Sequence, residues 1–205
     1  MGLFISFEGP DGSGKSTQIK LLAEHLNGLG QSVFVTREPG GTEIGEQIRD
    51  LLHDLRNRAM HPRAEILLYS AARAQLVGEA IVPRLAEGAV VLCDRYADST
   101  LAYQGYGHGL DLDMLRLITG FATQGLKPDL TLLFDIDPAD GLRRRSRDPD
   151  RIEAQDLDFH RRVRQAFRDL AAADPERFTV VDATAPAPEV AARVQAAVLT
   201  LLDGP

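Results

Sequence analysis

A glycine-rich loop follows the first apolar run of the chain and reads Gly9-Pro10-Asp11-Gly12-Ser13-Gly14-Lys15-Ser16-Thr17. It fits the pattern GxxxxGK followed by Ser or Thr, and it stands between the apolar run Leu3–Glu8 and a segment with helical spacing, as that pattern requires. Backbone N–H groups of such a loop curl around phosphates, and the N-terminal end of the following helix adds positive potential. Lys15 is expected to reach the β- and γ-phosphates, and the Ser16 hydroxyl to ligate Mg²⁺. The loop predicts a nucleoside triphosphate site, and since no Asn-Lys-x-Asp motif for guanine appears, ATP is the better donor.

Four more short apolar runs show little alternation of polar and apolar residues. They are Ser32–Arg37, Ala89–Asp94, Leu130–Asp135 and Phe178–Asp182. That pattern is typical of strands covered on both faces, as in a parallel sheet. Segments with helical spacing lie between the runs, so we predict a three-layer α/β fold with a five-stranded parallel sheet and helices on both faces. The longest helical segment, Ala64–Leu85, contains Pro83, which is expected to end or kink the helix.

The composition is that of an ordinary globular protein, with 44% hydrophobic and 26% charged residues among 205, which argues against disorder, collagen and coiled coil. We expect a single domain over residues 1–205. No apolar run approaches ~18 residues, which argues against a membrane span; no signal peptide is visible, so we expect a cytoplasmic protein. The single cysteine, Cys93, excludes an internal disulfide. The net charge of −7 disfavours a general nucleic-acid binder without forbidding a locally basic pocket.

One stretch departs from this composition. Residues 141–151 read GLRRRSRDPDR, which is rich in arginine and poor in apolar side chains, and we interpret it as an exposed basic excursion from the core. Its arginines are Arg143, Arg144, Arg145, Arg147 and Arg151.

Three further segments are more specific than the phosphate-binding loop: TREPGGT over 36–42, YSAAR over 69–73 and LCDRYADSTLAYQ over 92–104. Together with the loop and the arginine-rich stretch they resemble the thymidylate kinases, which phosphorylate dTMP to dTDP with ATP. The resemblance extends from Phe7 to about Asp182. It implies a P-loop kinase fold, ATP and dTMP as substrates, Mg²⁺, and a homodimer packed near Ala64–Leu85. Because arginine is absent from the phosphate-binding loop and frequent in the excursion, the arrangement looks bacterial, with a lid at about 141–153 that supplies the catalytic arginine.

The chemistry of this reaction explains why cations recur in these segments. A nucleoside monophosphate is already an anionic nucleophile, so the task is to bring two polyanions together and hold the reacting oxygens in line. Arginine suits that task because its planar fork matches phosphate oxygens. By resemblance, Arg37 and Arg95 hold the phosphate of dTMP.

The resemblance also implies how the nucleoside part of dTMP is bound. Tyr69, where the family more often has Phe, is expected to stack on thymine, and Arg73 to hydrogen-bond the edge of the base. The two lie four residues apart and so share one face of a helix. Thr100 and Gln104 fall at base-reading positions, and Tyr103 falls where the family packs a ring against the sugar and disfavours a ribose 2′-OH. Thr100 can also be read as an ordinary helix-opening residue.

The expected catalytic residues combine the loop, the third strand and the lid: Asp11, Lys15, Arg95, Arg147 and Arg151. For Asp11, a role near the catalytic arginine or the acceptor sugar stands beside that of a turn former. Asp94 is expected to orient Mg²⁺ waters or Arg95, so Ser16 and Asp94 form the predicted metal site. On the adenine side the expectation rests on Arg143, Asp182 and Ala183, and the last two can equally form a plain strand-to-helix connection.

Two other functions compete with a dTMP kinase. One is a kinase of the same fold for another monophosphate, such as dUMP, CMP or AMP. The other is a non-catalytic nucleotide-binding module, against which the joint presence of Lys15, Ser16 and the lid arginines argues.

Overall fold

Five parallel strands form the central sheet of the protein. They are β1 (Leu3–Glu8), β2 (Val33–Arg37), β3 (Val90–Asp94), β4 (Leu130–Asp135) and β5 (Phe178–Asp182). Their order across the sheet is β2-β3-β1-β4-β5. The predicted five-stranded parallel sheet is therefore confirmed, with two strands beginning one residue later than their apolar runs. This is a computed structural model, and it describes residues 2–144 and 150–202.

The α-helices within the described residues cover both faces of this sheet. They are α1 (Lys15–Gly28), α2 (Glu43–His53), α3 (Pro62–Leu76), α4 (Val82–Ala86), α5 (Ala97–Thr100), α6 (Leu112–Thr123), α7 (Pro138–Arg143), α8 (Leu157–Ala173) and α9 (Ala187–Leu202). Side-chain caps begin several of them; for example, Asp156 accepts from the Phe159 N–H at 2.7 Å at the start of α8.

Neighbouring residues of the central strand β1 pack into different apolar clusters. Ile5 joins the cluster formed with α1 and α9, whereas Phe4 joins the cluster formed with α3. Since successive side chains of a strand point to opposite faces, both faces of β1 are covered, which explains why its run is mostly apolar without alternation. Cys93, on the adjacent strand β3, is fully buried, in line with the reading of its run as a core strand.

The long helix predicted for Ala64–Leu85 runs from Pro62 to Ala86 and is interrupted by a π-helical turn, Val77–Ile81, between α3 and α4. Pro83 stands just after this turn. A proline lacks the N–H that an α-helix needs, and its ring crowds the carbonyl four residues earlier, so a locally wider turn relieves the conflict. Pro83 therefore modifies the helix without ending it, which settles the alternative that the sequence left open.

The segment predicted as a lid, about 141–153, lies only partly within the described residues. Its first residues complete α7, and Arg151–Ala154 form a turn before α8. Arg145 and Arg147 fall outside the described residues. Of the helices that the structure describes, none has the length and apolarity needed to cross a membrane.

Arg177, which precedes β5, connects three elements behind the carboxyl end of β3. Its guanidinium forms two hydrogen bonds with Asp98 of α5, at 2.7 and 3.1 Å, and a further one with Thr131 of β4 at 2.8 Å. Its Nε donates to Asp174 at 2.8 Å. Asp98 is buried, and Arg177 is its cationic partner.

We expect Arg177→Met to lower the free energy of unfolding by about 3 kcal/mol, because it leaves the buried Asp98 carboxylate without its cation. Arg116→Met is the matched control, since Arg116 pairs with Asp113 on an exposed face of α6 and should change stability by less than about 0.5 kcal/mol. Urea unfolding of both variants measures the difference. Equal losses in the two variants would contradict the role assigned to Arg177.

Candidate functional site

A cleft of about 630 Å³ opens at the carboxyl ends of β1, β2 and β3. This is the edge at which open α/β sheets bind ligands, and the volume lies in the range of small-molecule sites. The cleft brings together all of the predicted dTMP-binding residues: Arg37, Tyr69, Arg73, Arg95, Thr100, Tyr103 and Gln104. From the phosphate-binding loop and β3 it adds Asp11, Gly12, Gly14, Lys15, Ser16, Thr17 and Asp94.

The phosphate-binding loop is shaped by backbone that only glycine accommodates. Gly12 has a φ of +74°, and a Cβ there would lie 1.9 Å from the Gly141 carbonyl oxygen. Gly14, with a φ of +90°, precedes α1, and no side chain caps the start of that helix. The first N–H groups of α1 are therefore left for an anion.

The Lys15 ammonium lies inside this loop. Its Nζ donates to the carbonyls of Gly9 and Pro10, at 3.1 and 3.0 Å, and lies 3.4 Å from Ser13 Oγ. Burial, followed by the positive charge of Arg95, lowers the pKa of Lys15 to about 8. A bound polyphosphate would reverse this effect, because a nearby anion favours the charged ammonium.

The two residues predicted to form a metal site contact each other. Ser16 Oγ donates to Asp94 Oδ2 at 2.9 Å at the mouth of the loop. Hydroxyl and carboxylate oxygens are hard donors of the kind that Mg²⁺ prefers. No group of three or more His, Cys, Asp or Glu within the described residues is arranged to hold a metal. The pair therefore fits an ion that keeps waters and phosphate oxygens as its other ligands.

Arg95 joins the third strand to the phosphate-binding loop. Its Nη2 lies 2.6 Å from Asp11 Oδ1, and its guanidinium lies 4.9 Å from the centre of the Tyr103 ring. The Tyr103 hydroxyl donates to the other oxygen of Asp11 at 3.3 Å. Burial raises the pKa of Asp11, but the charges of Arg95 and Lys15 outweigh it, and the pKa falls below its usual value. Asp11 is therefore an ionised partner of Arg95 and not only a turn former.

The backbone of Arg95 is held in a left-handed conformation, with φ at +71°, which is uncommon for a residue with a side chain. Glu8, at the end of β1, holds the backbone of the residues that follow Arg95 in the chain. Its carboxylate accepts from the Tyr96 N–H at 2.8 Å, the Ser99 N–H at 3.3 Å and the Ser99 hydroxyl at 2.6 Å. Sequence reasoning missed Glu8, although an ionisable residue that ends a mostly apolar run next to the loop was a signal.

Arg73 lies at the other end of the cleft and is almost completely buried. Its Nε donates to Glu38 Oε2 at 2.8 Å, and its Nη2 lies 2.6 Å from the same oxygen. Nη2 also donates to the Tyr96 carbonyl, and Nη1 donates to Thr100 Oγ1 at 2.9 Å. A guanidinium has five N–H groups, so these contacts leave one N–H on Nη1 for the cleft. Glu38 belongs to the TREPGGT segment, but the sequence alone indicated no role for it.

Further cations line the part of the cleft nearest to α2. Arg37 Nη2 lies 2.8 Å from Glu46 Oε2, and Glu46 also accepts from the Gly41 N–H at 2.8 Å. Arg49, which carried no signal in the sequence, donates to the Pro39 carbonyl at 2.8 Å and lines the cleft. Arg37, Arg49 and Arg95 thus surround one region with positive charge.

The arginines around the lid have separate positions. Arg143 pairs with Asp140 on the surface, whereas Arg144 lines the cleft and donates to the Ala183 carbonyl at 2.8 Å. Asp182 accepts from the N–H and hydroxyl of Thr184 in its own loop. The structure therefore brings Arg144, and not Arg143, to the predicted adenine side.

Arg151 is buried and does not line the cleft. Its Nε donates to the Leu52 carbonyl at 2.8 Å, and its Nη2 lies 2.6 Å from Glu65 Oε2. The structure thus places it apart from Asp11, Lys15 and Arg95, the predicted catalytic residues that line the cleft. The remaining candidate, Arg147, lies outside the described residues.

The phosphate-binding loop, the Ser16–Asp94 pair and a cluster of cations line one cleft. This combination defines a P-loop kinase that acts on a nucleoside monophosphate. Comparison with known proteins identifies which one. A family model described as Thymidylate kinase matches residues 7–194. The chain is 56% identical to a thymidylate kinase of Deinococcus radiodurans, over 96% of each chain, and 49% identical to one of Geotalea uraniireducens, over 98% of this chain and 99% of that one. A crystal structure of thymidylate kinase from Ehrlichia chaffeensis superimposes with a TM-score of 0.79 at 34% identity, covering 98% of both chains.

The chain belongs to the thymidylate kinase family. It is an ATP-dependent nucleoside monophosphate kinase with the α/β P-loop fold that the sequence predicted.

We expect Glu8→Gln to flatten the pH dependence of stability between pH 4.5 and 7. Burial, reinforced by the charge of Asp98, raises the pKa of Glu8 from 4.5 to about 7. The folded state therefore holds this proton more tightly than the unfolded state, and stability is lost as the pH rises through this window, by up to about 3 kcal/mol.

Urea unfolding of both proteins between pH 4.5 and 8 measures the effect. The difference between the two curves isolates Glu8 from other groups that titrate in the same range. A difference that does not change with pH would contradict the raised pKa of Glu8.

Proposed function

We propose that this protein transfers the γ-phosphoryl group of ATP to dTMP, giving dTDP and ADP, through the residues that line the cleft. The observation that carries the proposal is the contact between Arg95 and Asp11, which joins the acceptor side of the cleft to the phosphate-binding loop. Lys15 and Arg95 consequently lie on either side of one space in which two phosphate groups can meet.

The mechanism follows from the charges around that space. Lys15 and the first N–H groups of α1 hold the donor phosphates, while Arg37, Arg49 and Arg95 hold the acceptor phosphate. The acceptor oxygen is already anionic, so no strong general base is needed, and catalysis consists of in-line positioning and stabilisation of the spread charge. Asp11 keeps the Arg95 guanidinium oriented through their 2.6 Å contact.

Base recognition rests on the pocket at the far end of the cleft. The remaining N–H of Arg73 can donate to a carbonyl at the edge of the base, and the Tyr69 ring lies beside it for stacking. Thymine offers such a carbonyl at C4, whereas cytosine carries an amino group there. This observation favours dTMP or dUMP over CMP as the acceptor. Tyr103, which packs against Arg95, is assigned to the face of the sugar.

Ser16 and Asp94 would hold Mg²⁺ when ATP is bound. The ion supplies charge neutralisation between the phosphate oxygens. Ser16 and Asp94 are already in contact, so the chain itself fixes the two oxygens on the loop side of that position.

For the lid arginine that reaches the transferred group we assign Arg147 ahead of Arg151. The Arg151 guanidinium is committed to Leu52 and Glu65, and it would have to break both contacts to reach a phosphate. The sequence had assigned the adenine side to Arg143, Asp182 and Ala183. We assign it to Arg144 in place of Arg143, because the Arg144 guanidinium lines the cleft and donates to the Ala183 carbonyl.

A homodimer, a single domain over residues 1–205 and a cytoplasmic location remain predictions for this chain. The dimer gains support from apolar side chains exposed on one face of α6, a helix that packs against α3 of the Ala64–Leu85 segment, near which the resemblance places the dimer contact. Phe121 is 88% exposed and Leu117 is 71% exposed, and Met114 lies on the same face. Exposed apolar patches of this kind mark protein–protein contacts.

The acceptor preference is tested by ADP release with ATP and Mg²⁺ in the presence of dTMP, dUMP, AMP, CMP or GMP. We expect dTMP to be preferred. Preference for a different monophosphate would keep the mechanism and overturn the base assignment, and activity with none of them would support the binding-module alternative.

Two variants test the cations in the same assay. We expect Arg95→Ala to lower kcat/KM for dTMP at least about a hundredfold by removing charge-assisted hydrogen bonds, with little change in KM for ATP.

We expect Lys15→Ala to reduce kcat about a thousandfold or more. Arg161→Ala, which removes an exposed ion pair with Asp158 on α8, is the control. Normal dTMP turnover by the Arg95 variant would remove that residue from acceptor binding.

We expect Phe121→Asp to dissociate the dimer, because a carboxylate would have to be desolvated within an apolar interface. Sedimentation velocity measures the change in mass. Leu29→Asp, which makes the same change at an exposed apolar residue just after α1, should leave the assembly intact. A wild-type protein that sediments as a monomer would refute the prediction outright.

A further inference from the structure

Glu65, on α3, is a buried carboxylate that the mechanism above does not use. One of its oxygens, Oε1, accepts from Gln104 Nε2 at 2.8 Å. The other, Oε2, lies 2.6 Å from Arg151 Nη2. Both Glu65 and Gln104 are almost fully buried, although Gln104 reaches the surface of the cleft. His108 Nε2 is the next charged or titratable neighbour, at 3.6 Å from Oε1, which is beyond hydrogen-bond distance.

This arrangement fixes which end of the Gln104 amide faces the cleft. An ionised carboxylate can only accept hydrogen bonds, so it binds the NH₂ end of the amide. The second carboxylate oxygen faces the Arg151 guanidinium, which can only donate, and Arg151 is itself held by the Leu52 carbonyl. No described residue donates to the side-chain oxygen of Gln104. That oxygen is therefore the group that Gln104 presents to a ligand.

We propose that Glu65 is a specificity-determining positioning residue, which holds the Gln104 oxygen toward the base and thereby selects acceptors with an N–H donor at that edge. This inference rests on the proposed function. Thymine and uracil carry an N–H at N3, whereas the N3 of cytosine is a hydrogen-bond acceptor. Two acceptors facing each other in a buried site leave both unpaired, which disfavours dCMP beyond the contribution of Arg73.

The variant Glu65→Gln is expected to reverse the orientation of the Gln104 amide, and not merely to release it. Arg151 can only donate, so it takes the single oxygen of the new amide. The NH₂ group at position 65 then faces Gln104, whose own amide must turn its oxygen inward and its NH₂ toward the cleft. An acceptor with an N–H at N3 would now meet a second donor, and cytosine would find a partner.

The measurement is kcat/KM for dTMP, dUMP and dCMP with wild type and Glu65→Gln. We expect the dTMP-to-dCMP ratio to fall at least about tenfold in the variant. The dTMP-to-dUMP ratio should stay unchanged, since both bases carry the N3–H. A purely structural defect would lower all three values together, so an unchanged dTMP-to-dCMP ratio would overturn the proposal.

Glu79→Gln is the matched control. Glu79 accepts from Gln75 Nε2 at 2.6 Å in an exposed pair that does not line the cleft, so both ratios should remain those of wild type. A double-mutant cycle with Gln104→Met tests the route of the effect. If Glu65 acts through Gln104, the change at position 65 should alter the dTMP-to-dCMP ratio no further once Gln104 is Met. Full additivity would contradict the proposal.

If Glu65→Gln does not fold, the double variant Glu65→Gln with Arg151→Met leaves no buried charge unpaired. Neither amide orientation is then enforced, and the dTMP-to-dCMP ratio should still fall below that of wild type. A wild-type ratio in this variant would contradict the proposal. Loss of the proposed function itself would be recognised separately, because wild type would then fail to use dTMP at all.

Discussion

The contact between Arg95 and Asp11 is the interaction on which the site depends. It is a short, largely buried ion pair that links the end of β3 to the phosphate-binding loop after β1. Arg95 reaches Asp11 with a left-handed backbone, which is unfavourable for a residue with a side chain. Glu8 compensates for this cost by accepting hydrogen bonds from the Tyr96 and Ser99 N–H groups, which come after Arg95 in the chain. The Arg95–Asp11 contact thus fixes the acceptor half of the cleft against the donor half.

Charged groups elsewhere in the cleft also have polar partners within the chain. Arg73 is held by Glu38, Arg37 by Glu46 and Asp94 by Ser16, so each group has a partner before any substrate arrives. Side chains that are already oriented lose little entropy on binding and need little reorganisation during the reaction. The cost is burial of charge, which the raised pKa of Glu8 makes visible.

The sequence was sufficient for the sheet, for the phosphate-binding loop and for the set of predicted dTMP-binding residues that line the cleft, because these follow from local patterns and from a resemblance carried by contiguous motifs. The partners of those residues could not be predicted. Glu38 and Glu65 pair with side chains distant in sequence, and Arg49 is one of several helical arginines with no distinguishing spacing. The spacing of the arginines also could not show which of Arg143 and Arg144 reaches the cleft, because adjacent residues differ only in the direction in which their side chains point.

The close approach of Gly12 and Gly141 has a consequence for the evolution of the protein. A Cβ on either residue would collide with backbone of the opposite segment, at 1.9 Å for Gly12 and 2.3 Å for Gly141. Neither segment can accept a side chain at its glycine unless the other segment moves away. Substitutions at Gly12 and Gly141 are therefore coupled, although the two positions lie far apart in the chain. A lineage that enlarges one of them must first remodel how the phosphate-binding loop and α7 meet.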